Sequence, residues 1–508
     1  MPSRWSSTGE NAGRRRGFLQ PDLLEDEEAE SHFADAEPFW RVPQRGSDLY
    51  HHPSYNGSWA SRARHRFNHF ALRYPARLTL IVFTVIIVVV TLLLCLPLAN
   101  TRGRATPFID AFFTAVSAVC VTGLTVVDTA SYWSFFGQVI IALGIGLGGF
   151  GVMTMASLLA LVVSRRLGLT QRLMTQSDTQ SRLGDALTLI KGVLITTIAA
   201  EVILFIVVVP SFIAHGHSLG VSIWNATFMS ISAFNNAGFV SIPEGMAEYV
   251  GNWLVVFPLI LAAFVGAIGF PVIVDLRKHW RKPRTLALHS KITLTTYIGL
   301  AITTGIVVAA LEWSNPATFG SLNLSEKALN TIVESVNPRS LGISAVDVGE
   351  MTSATWLITD ISMFIGGGSG SHAGGIKVTT FTILILAAWT EARGKRDVEA
   401  FRRRIPQGTV RQAVAVLLAA MALVLGVTLI LLIITPFTLD RLLFEVISAF
   451  GTVGLSTGIT PLLPHSAKIL LAFLMLVGRI GPMTFAASLA LRERKSFIRM
   501  PSERPIVG

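Results

Sequence analysis

The sequence predicts an all-α membrane protein of four tandem repeats, each a membrane span, a short re-entrant helix, an extended glycine strand and a second span. Three observations carry this expectation. Of 508 residues, 51% are hydrophobic and 14% charged, outside the range of a soluble globular domain. About eight apolar runs, near 78–98, 134–163, 186–213, 253–275, 292–311, 354–390, 411–435 and 466–490, each match or exceed the ~20 residues that cross a bilayer. Finally, the connections inside successive pairs of runs each carry a glycine turn, spaced about 110 residues apart, as an internal repeat requires.

Charge gives the expected topology. Residues 1–72 read as a polar cytoplasmic tail without the pattern of a signal peptide, and its acidic stretch DLLEDEEAE (Asp22–Glu30) reads as a solvated run. Arg62, Arg64, Arg66, Arg73 and Arg77 precede the first run. Arg165, Arg166 and Arg172 follow the second, RKHWRKPR the fourth, RGKR and FRRR the sixth, and Arg492, Arg494, Lys495 and Arg499 the last. By the positive-inside rule both termini and these connections are cytoplasmic, with Arg102 and Arg104 running against it. The net charge of +11 is thereby assigned to topology and not to nucleic acid. Cys95 and Cys120 have neither metal-ligand spacing nor a disulfide framework. The expected units are repeats at 73–170, 171–283, 284–404 and 405–495, with a cytoplasmic tail at 496–508.

The external connections define the repeat. They read FIDAFFTAVSAVCVTGLTVVD, IWNATFMSISAFNNAGFVSIPEG, ALNTIVESVNPRSLGISAVD and RLLFEVISAFGTVGLSTGITP. A helix of about ten to fourteen residues is too short to cross, so each is expected to re-enter. Extended backbone at membrane depth is tolerated only inside protein or along a wet cavity. Aligned on glycine, the strands are Val121-Thr122-Gly123, Asn236-Ala237-Gly238, Ser340-Leu341-Gly342 and Thr452-Val453-Gly454. The fourth looks like the TVGYG filter strand of potassium channels, whose carbonyls replace a cation's hydration shell. Glycine suits such a strand because it accepts backbone angles that other residues avoid.

With those residues in place, the chain from about 70 to 495 resembles the Trk/Ktr/HKT potassium transporter superfamily, nearest to the Ktr-type ion-translocating membrane subunit. The resemblance implies a fourfold pseudosymmetric pore with one filter, a homodimer in the cell (inner) membrane, and a cytosolic ring of nucleotide-binding regulatory subunits. Any ATP, ADP or NAD would act on that partner, with K⁺ the transported ion and no cofactor on this chain. Family members with glycine in all four filters are of the potassium type, those with serine in the first of the sodium type. Gly123 places this chain with the former.

The sixth run is interrupted by GGGSGSHAGGIK, comprising Gly366, Gly367, Gly368, Ser369, Gly370, Ser371, His372, Ala373, Gly374, Gly375, Ile376 and Lys377. No lipid-exposed helix would hold such a stretch. In the resembling family it is an intramembrane gate loop below the filter, though Gly368-Ser369 and His372 depart from the usual residues. It does not meet the phosphate-loop spacing. His372 either titrates or stays neutral, and Lys377 either belongs to the gate or snorkels outward. Arg479 matches the family's pore arginine. Its other readings are a pair with Glu201 and capping by carbonyls, any of which must offset the ~2.5–3.5 kcal/mol that a charge costs at mid-membrane. Glu334, Glu445 and Asp110 either brace the strands or sit in wet crevices, and Asp128 and Asp347 either concentrate cations or cap loops. Rival functions on this scaffold are a sodium uniporter and a coupled K⁺ symporter. A membrane-embedded enzyme would want a catalytic constellation, and none with convincing spacing is found.

Overall fold

A computed structural model of the chain describes residues 75–166, 181–243 and 245–481. The expected tails 1–72 and 496–508, and the connection 167–180, lie outside the described residues. The protein is an all-helical, multi-span membrane protein whose helices fall into four consecutive groups. The first group is α1 (Pro75–Leu94), α2 (Phe108–Val119) and α3 (Phe135–Arg166); the second is α4 (Ser181–Ala214), α5 (Leu219–Phe234), α6 (Trp253–Ile268) and α7 (Phe270–His279). The third is α8 (Leu288–Glu312), α9 (Leu324–Val336), α10 (Ser353–Phe364) and α11 (Val378–Ala392), and the fourth is α12 (Gln407–Ile434), α13 (Leu439–Gly451) and α14 (His465–Ile480).

The first helix of each group contains a stretch long and apolar enough to cross a membrane: Arg77–Leu94, Ile190–Ala214, Leu288–Glu312 and Gln407–Ile434. Valine, isoleucine and threonine are poor helix formers in water, yet in lipid only a helix satisfies every backbone group within one segment. Threonine hydroxyls fold back on the same ladder, Thr91 Oγ1 donating to the Ile87 carbonyl at 2.7 Å and Thr428 to that of Val424 at 2.8 Å. The short second helices, α2, α5, α9 and α13, have 12, 16, 13 and 13 residues. α9 starts on a reciprocal cap, Asn323 Oδ1 accepting from Glu326 N and Glu326 Oε2 from Asn323 N, both at 2.9 Å.

Where the sequence predicts eight spans, the second span is continuous only in part. In the second group it bends by 94° between α6 and α7. The hinge is Gly269, at φ 105°, a conformation that suits glycine, followed by Pro271, which has no N–H to continue the ladder. In the third group the span opens at residues 365–377, the interruption expected from the glycines there. Consecutive groups pack side by side, and α14 packs on α2, so that the fourth group returns to the first. Lys468 of α14 and Asp110 of α2 form an ion pair of 3.0 Å across that closure. A small antiparallel hairpin pairs Glu399 with Arg404 and Ala400 with Arg403.

One buried carboxylate organises the third group. Glu312, at the end of α8 and fully buried, accepts from Thr352 N (2.9 Å), Thr352 Oγ1 (3.0 Å) and Thr355 Oγ1 (2.5 Å) at the start of α10. It also accepts from Thr318 Oγ1 and Asn315 Nδ2, both at 2.7 Å. Glu312→Ala strands these donors, which costs about 3 kcal/mol. The expected result is a lower thermal unfolding midpoint for the detergent-purified protein, with Glu312→Gln intermediate; an alanine variant as stable as the parent contradicts the assignment.

A ring of four glycine strands and the loop beneath it

Each short helix ends in the same turn. Two residues before each glycine the backbone is left-handed: φ is 55° at Val121, 60° at Asn236, 71° at Ser340 and 47° at Thr452. The glycines follow at φ 92° (Gly123), 71° (Gly238), 68° (Gly342) and 94° (Gly454). A non-glycine residue held left-handed costs about 1–3 kcal/mol, so four in register mark a constraint and not chance. An ordinary strand points successive carbonyls to opposite sides; alternating the hand of the backbone turns them to one side.

Two devices hold the turns. Backbone bonds run from Thr122 N to Ser117 O (2.7 Å), Ala237 N to Ser232 O (2.8 Å), Leu341 N to Asn337 O (3.1 Å) and Val453 N to Ser448 O (2.9 Å). The hydroxyls of Ser117 and Ser448, six residues before glycine, accept from Gly123 N (3.1 Å) and Gly454 N (3.2 Å), while Ser232 donates to Phe239 O (2.7 Å). Val336 takes that place in the third strand. There Ser340 Oγ donates instead to the carbonyl of Gly451 (2.9 Å), the last residue of α13 before the fourth strand.

The glycines touch in chain order. A Cβ built on Gly123 would lie 2.8 Å from the Cα of Gly238; on Gly238, 3.2 Å from that of Gly342; on Gly342, 3.0 Å from that of Gly454; on Gly454, 3.0 Å from that of Gly123. In each case it would come as close or closer to the carbonyl oxygen just before the next glycine: those of Ala237, Leu341, Val453 and Thr122. The circle is closed and leaves no room for a side chain. Behind it, Gly148 of α3, Gly266 of α6 and Gly478 of α14 press on the carbonyls of Val119, Phe234 and Phe450, each four residues before a ring glycine. The third counterpart by spacing is Gly366, where the span opens.

The opened segment, Gly366 to Lys377, lies against the ring. Gly374 N donates to Ser340 Oγ at 3.2 Å, and a Cβ on Gly374 would meet the Thr452 side chain. The loop is tied to its own stem by Gly366 N to Ile376 O (2.8 Å) and Val378 N to Gly367 O (3.1 Å), and to the α6–α7 bend by Gly368 N to Ala267 O (2.8 Å) and Phe270 N to Gly370 O (3.1 Å). Ser371 Oγ donates to Gly368 O at 2.7 Å. Gly367 packs on Ala373 and the Ala267 carbonyl, the Ser369 carbonyl lies against Gly269, and Gly375 packs on Gly451.

Arg479, buried at the end of α14, donates to the His372 carbonyl of the loop and to Gly148 O at 3.4 Å. The guanidinium thus meets a carbonyl of the Gly366–Lys377 loop as well as one of α3, and it does not pair with Glu201, which accepts from Asn235 Nδ2 at 2.7 Å. Lys377 turns back on the loop, donating to Ala373 O (2.5 Å) and Gly374 O (3.2 Å). His372 is fully buried, edge-on to Phe234 at 5.5 Å, with neither ring nitrogen hydrogen-bonded among the described residues.

The acidic residues separate by position. Glu445 is buried and accepts from Ser456 Oγ (2.5 Å), Thr457 N (3.0 Å) and Thr460 Oγ1 (2.7 Å) just past the fourth glycine; Glu334 likewise holds Ser344 Oγ at 2.8 Å. Asp110 lies far from its strand, paired with Lys468. Asp128 and Asp347 are exposed and each caps a turn, accepting from Ser131 N and Gly349 N at 2.8 Å. Asn236 Nδ2 donates to Ala263 O at 3.1 Å.

The family model for TrkH, described as a cation transport protein, matches residues 56–498. The chain belongs to this family. It is accordingly a transporter of the Trk/Ktr/HKT superfamily and not an enzyme. It is 37% identical over 439 residues to Ktr system potassium uptake protein B of Bacillus subtilis (strain 168), covering 85% of this chain and 97% of that one. The Vibrio alginolyticus protein of the same name is 34% identical, covering 85% and 94%. Potassium/sodium uptake protein NtpJ of Enterococcus hirae is 32% identical, covering 85% and 97%. Among solved structures, the potassium transporter TrkH from Vibrio parahaemolyticus shares the fold, with a TM-score of 0.63 at 19% identity over 80% of this chain and 84% of that one.

The glycines behind the ring give a direct test. Gly148→Ala and Gly478→Ala each drive a methyl into a helix-terminal carbonyl, an overpacking of about 1–3 kcal/mol at the point that aims the strand. Cation uptake into proteoliposomes is expected to fall severely in both. Gly146→Ala, with nothing within 4 Å of its Cβ, is expected to match the parent; equal behaviour of all three contradicts this role.

Proposed function

We propose that the chain is the ion-translocating subunit of a Ktr-type potassium uptake system in the plasma membrane, passing K⁺ down its electrochemical gradient. The observation that carries the proposal is the closed circle of four left-handed, glycine-terminated strands. Carbonyls of Thr122, Ala237, Leu341 and Val453, next to the ring glycines, stand in for water around a dehydrated cation. The short helices direct their partly negative C-terminal ends toward it. The outer mouth is the side of Asp128 and Asp347, and both termini are cytoplasmic, in keeping with the basic connections.

Beneath the filter, Gly366–Lys377 acts as the gate. Conduction requires it to leave Ser340 and Thr452, and the bonds that resist are those to Ala267, Ile376 and the Arg479 guanidinium. Arg479 therefore serves as both a latch and a fixed positive charge below the filter. In this reading, as the family resemblance implies, the chain works as a homodimer, and a cytosolic regulatory ring that binds ATP, ADP or NAD moves the loop. A sodium-carrying variant of the same scheme is the second reading, favoured by the likeness to a potassium/sodium uptake protein; glycine at position 123 weighs against it.

The test is growth of a potassium-uptake-deficient bacterium on limiting K⁺, with the chain alone and with a candidate regulatory subunit. Rescue by the parent, weakened or shifted toward Na⁺ in Gly123→Ser, is the expected outcome. Absence of rescue by well-inserted protein in every pairing contradicts the proposal.

A further inference from the structure

Arg339, three residues before Gly342, is fully buried. Its guanidinium donates through Nη2 to Thr304 Oγ1 at 3.3 Å and lies over the Tyr297 ring at 5.4 Å. Nε and Nη1 have no hydrogen-bond partner among the described residues. Among the described residues the ion pairs are His279–Asp275, Arg404–Asp397 and Lys468–Asp110, so no described carboxylate lies within ion-pair distance of Arg339. The corresponding places in the other strands hold Cys120, Asn235 and Gly451, none of them charged. The next residue, Ser340, binds both the end of α13 and the loop. A cation with no carboxylate partner among the described residues therefore stands three residues before a ring glycine, between the third strand and α8.

Such a placement is expensive in a membrane, and intramembrane charges that persist mark function. An arginine, unlike a lysine, keeps its charge when buried. Carbonyl dipoles attract a divalent cation about twice as strongly as a monovalent one, while stripping its water costs about four times as much, since the solvation energy of an ion grows with the square of its charge. A fixed positive charge in a weakly screened site opposes the divalent ion twice as strongly as the monovalent one, so it shifts the balance further against the divalent ion.

We propose that Arg339 is a specificity-determining residue whose uncompensated charge, held behind the third glycine strand, makes the ring reject divalent cations while passing monovalent ones. The role deepens the reading of the ring as the ion path and rests on it. Thr304 supplies the means to cancel the charge without removing the arginine. Thr304→Asp places a carboxylate against the guanidinium, and Thr304→Asn has nearly the same shape without the charge.

The experiment measures rubidium uptake by the full chain in proteoliposomes against rising barium, for the parent, Arg339→Gln, Thr304→Asp and Thr304→Asn. In Arg339→Gln and Thr304→Asp the barium concentration that halves uptake is expected to fall about tenfold, the change that ~1.4 kcal/mol produces. Thr304→Asn is expected to match the parent. Should Arg339→Gln not assemble, the Asp/Asn pair decides. Equal barium block in that pair, with uptake present, overturns this proposal alone. A parent protein that carries no monovalent cation overturns the ring reading and this role with it.

Discussion

Everything else in the structure serves one steric condition: four glycines must meet edge to edge with no atom between them but their own backbone. The circle Gly123–Gly238–Gly342–Gly454 closes with each missing Cβ directed at the next strand. That closeness fixes the residue type at the ring. It also requires each neighbouring strand to arrive at the same depth and angle, which short helices of 12 to 16 residues, wedged between spans, accomplish. The left-handed residue two places earlier turns the chain out of its helix and reverses the backbone hand in the strand. Strain of about 1–3 kcal/mol at each such residue is held by buried backbone bonds and serine hydroxyls.

The third repeat departs from the other three, and its departures belong together. Its strand lacks the bracing serine, its second span opens at the glycine that would have packed behind the strand, and the freed segment folds under the ring. Glu312 compensates by gripping the start of α10 with α8, so the break in the span is confined to the loop. Ser340 then does double duty, tying the third strand to the end of α13 and to the loop. In the third group alone, the segment behind the strand is a loop whose contacts include hydrogen bonds to the α6–α7 bend, to Ser340 and to Arg479.

Much of this was legible in the sequence because membrane burial leaves few options. The span–short helix–glycine–span repeat, the interruption at Gly366–Lys377 and the transporter class follow from run length, spacing and resemblance. What stayed hidden depends on neighbours far along the chain. The hinge at Gly269 lies inside an apolar run that reads as one span, and only Gly-Phe-Pro at 269–271 hints at the bend. Gly148, Gly266 and Gly478 look like ordinary membrane-helix glycines until their distance of 24 to 28 residues past each ring glycine is noticed. Arg339 sits in a loop-like stretch where an arginine is unremarked, and its lack of a carboxylate partner among the described residues is a fact of three dimensions. The acids Asp110, Asp128 and Asp347 show the opposite limit: near the strands in sequence, they resolve into an ion pair and two turn caps.

The central claim is that the glycine circle holds the cation, and the most direct measurement is anomalous diffraction from crystals of the protein soaked in rubidium or thallium(I). The account predicts an anomalous peak on the axis between the carbonyls of Thr122, Ala237, Leu341 and Val453, lost when the crystals are grown in a large organic cation instead. Peaks confined to other parts of the molecule, with none inside the circle, would contradict it.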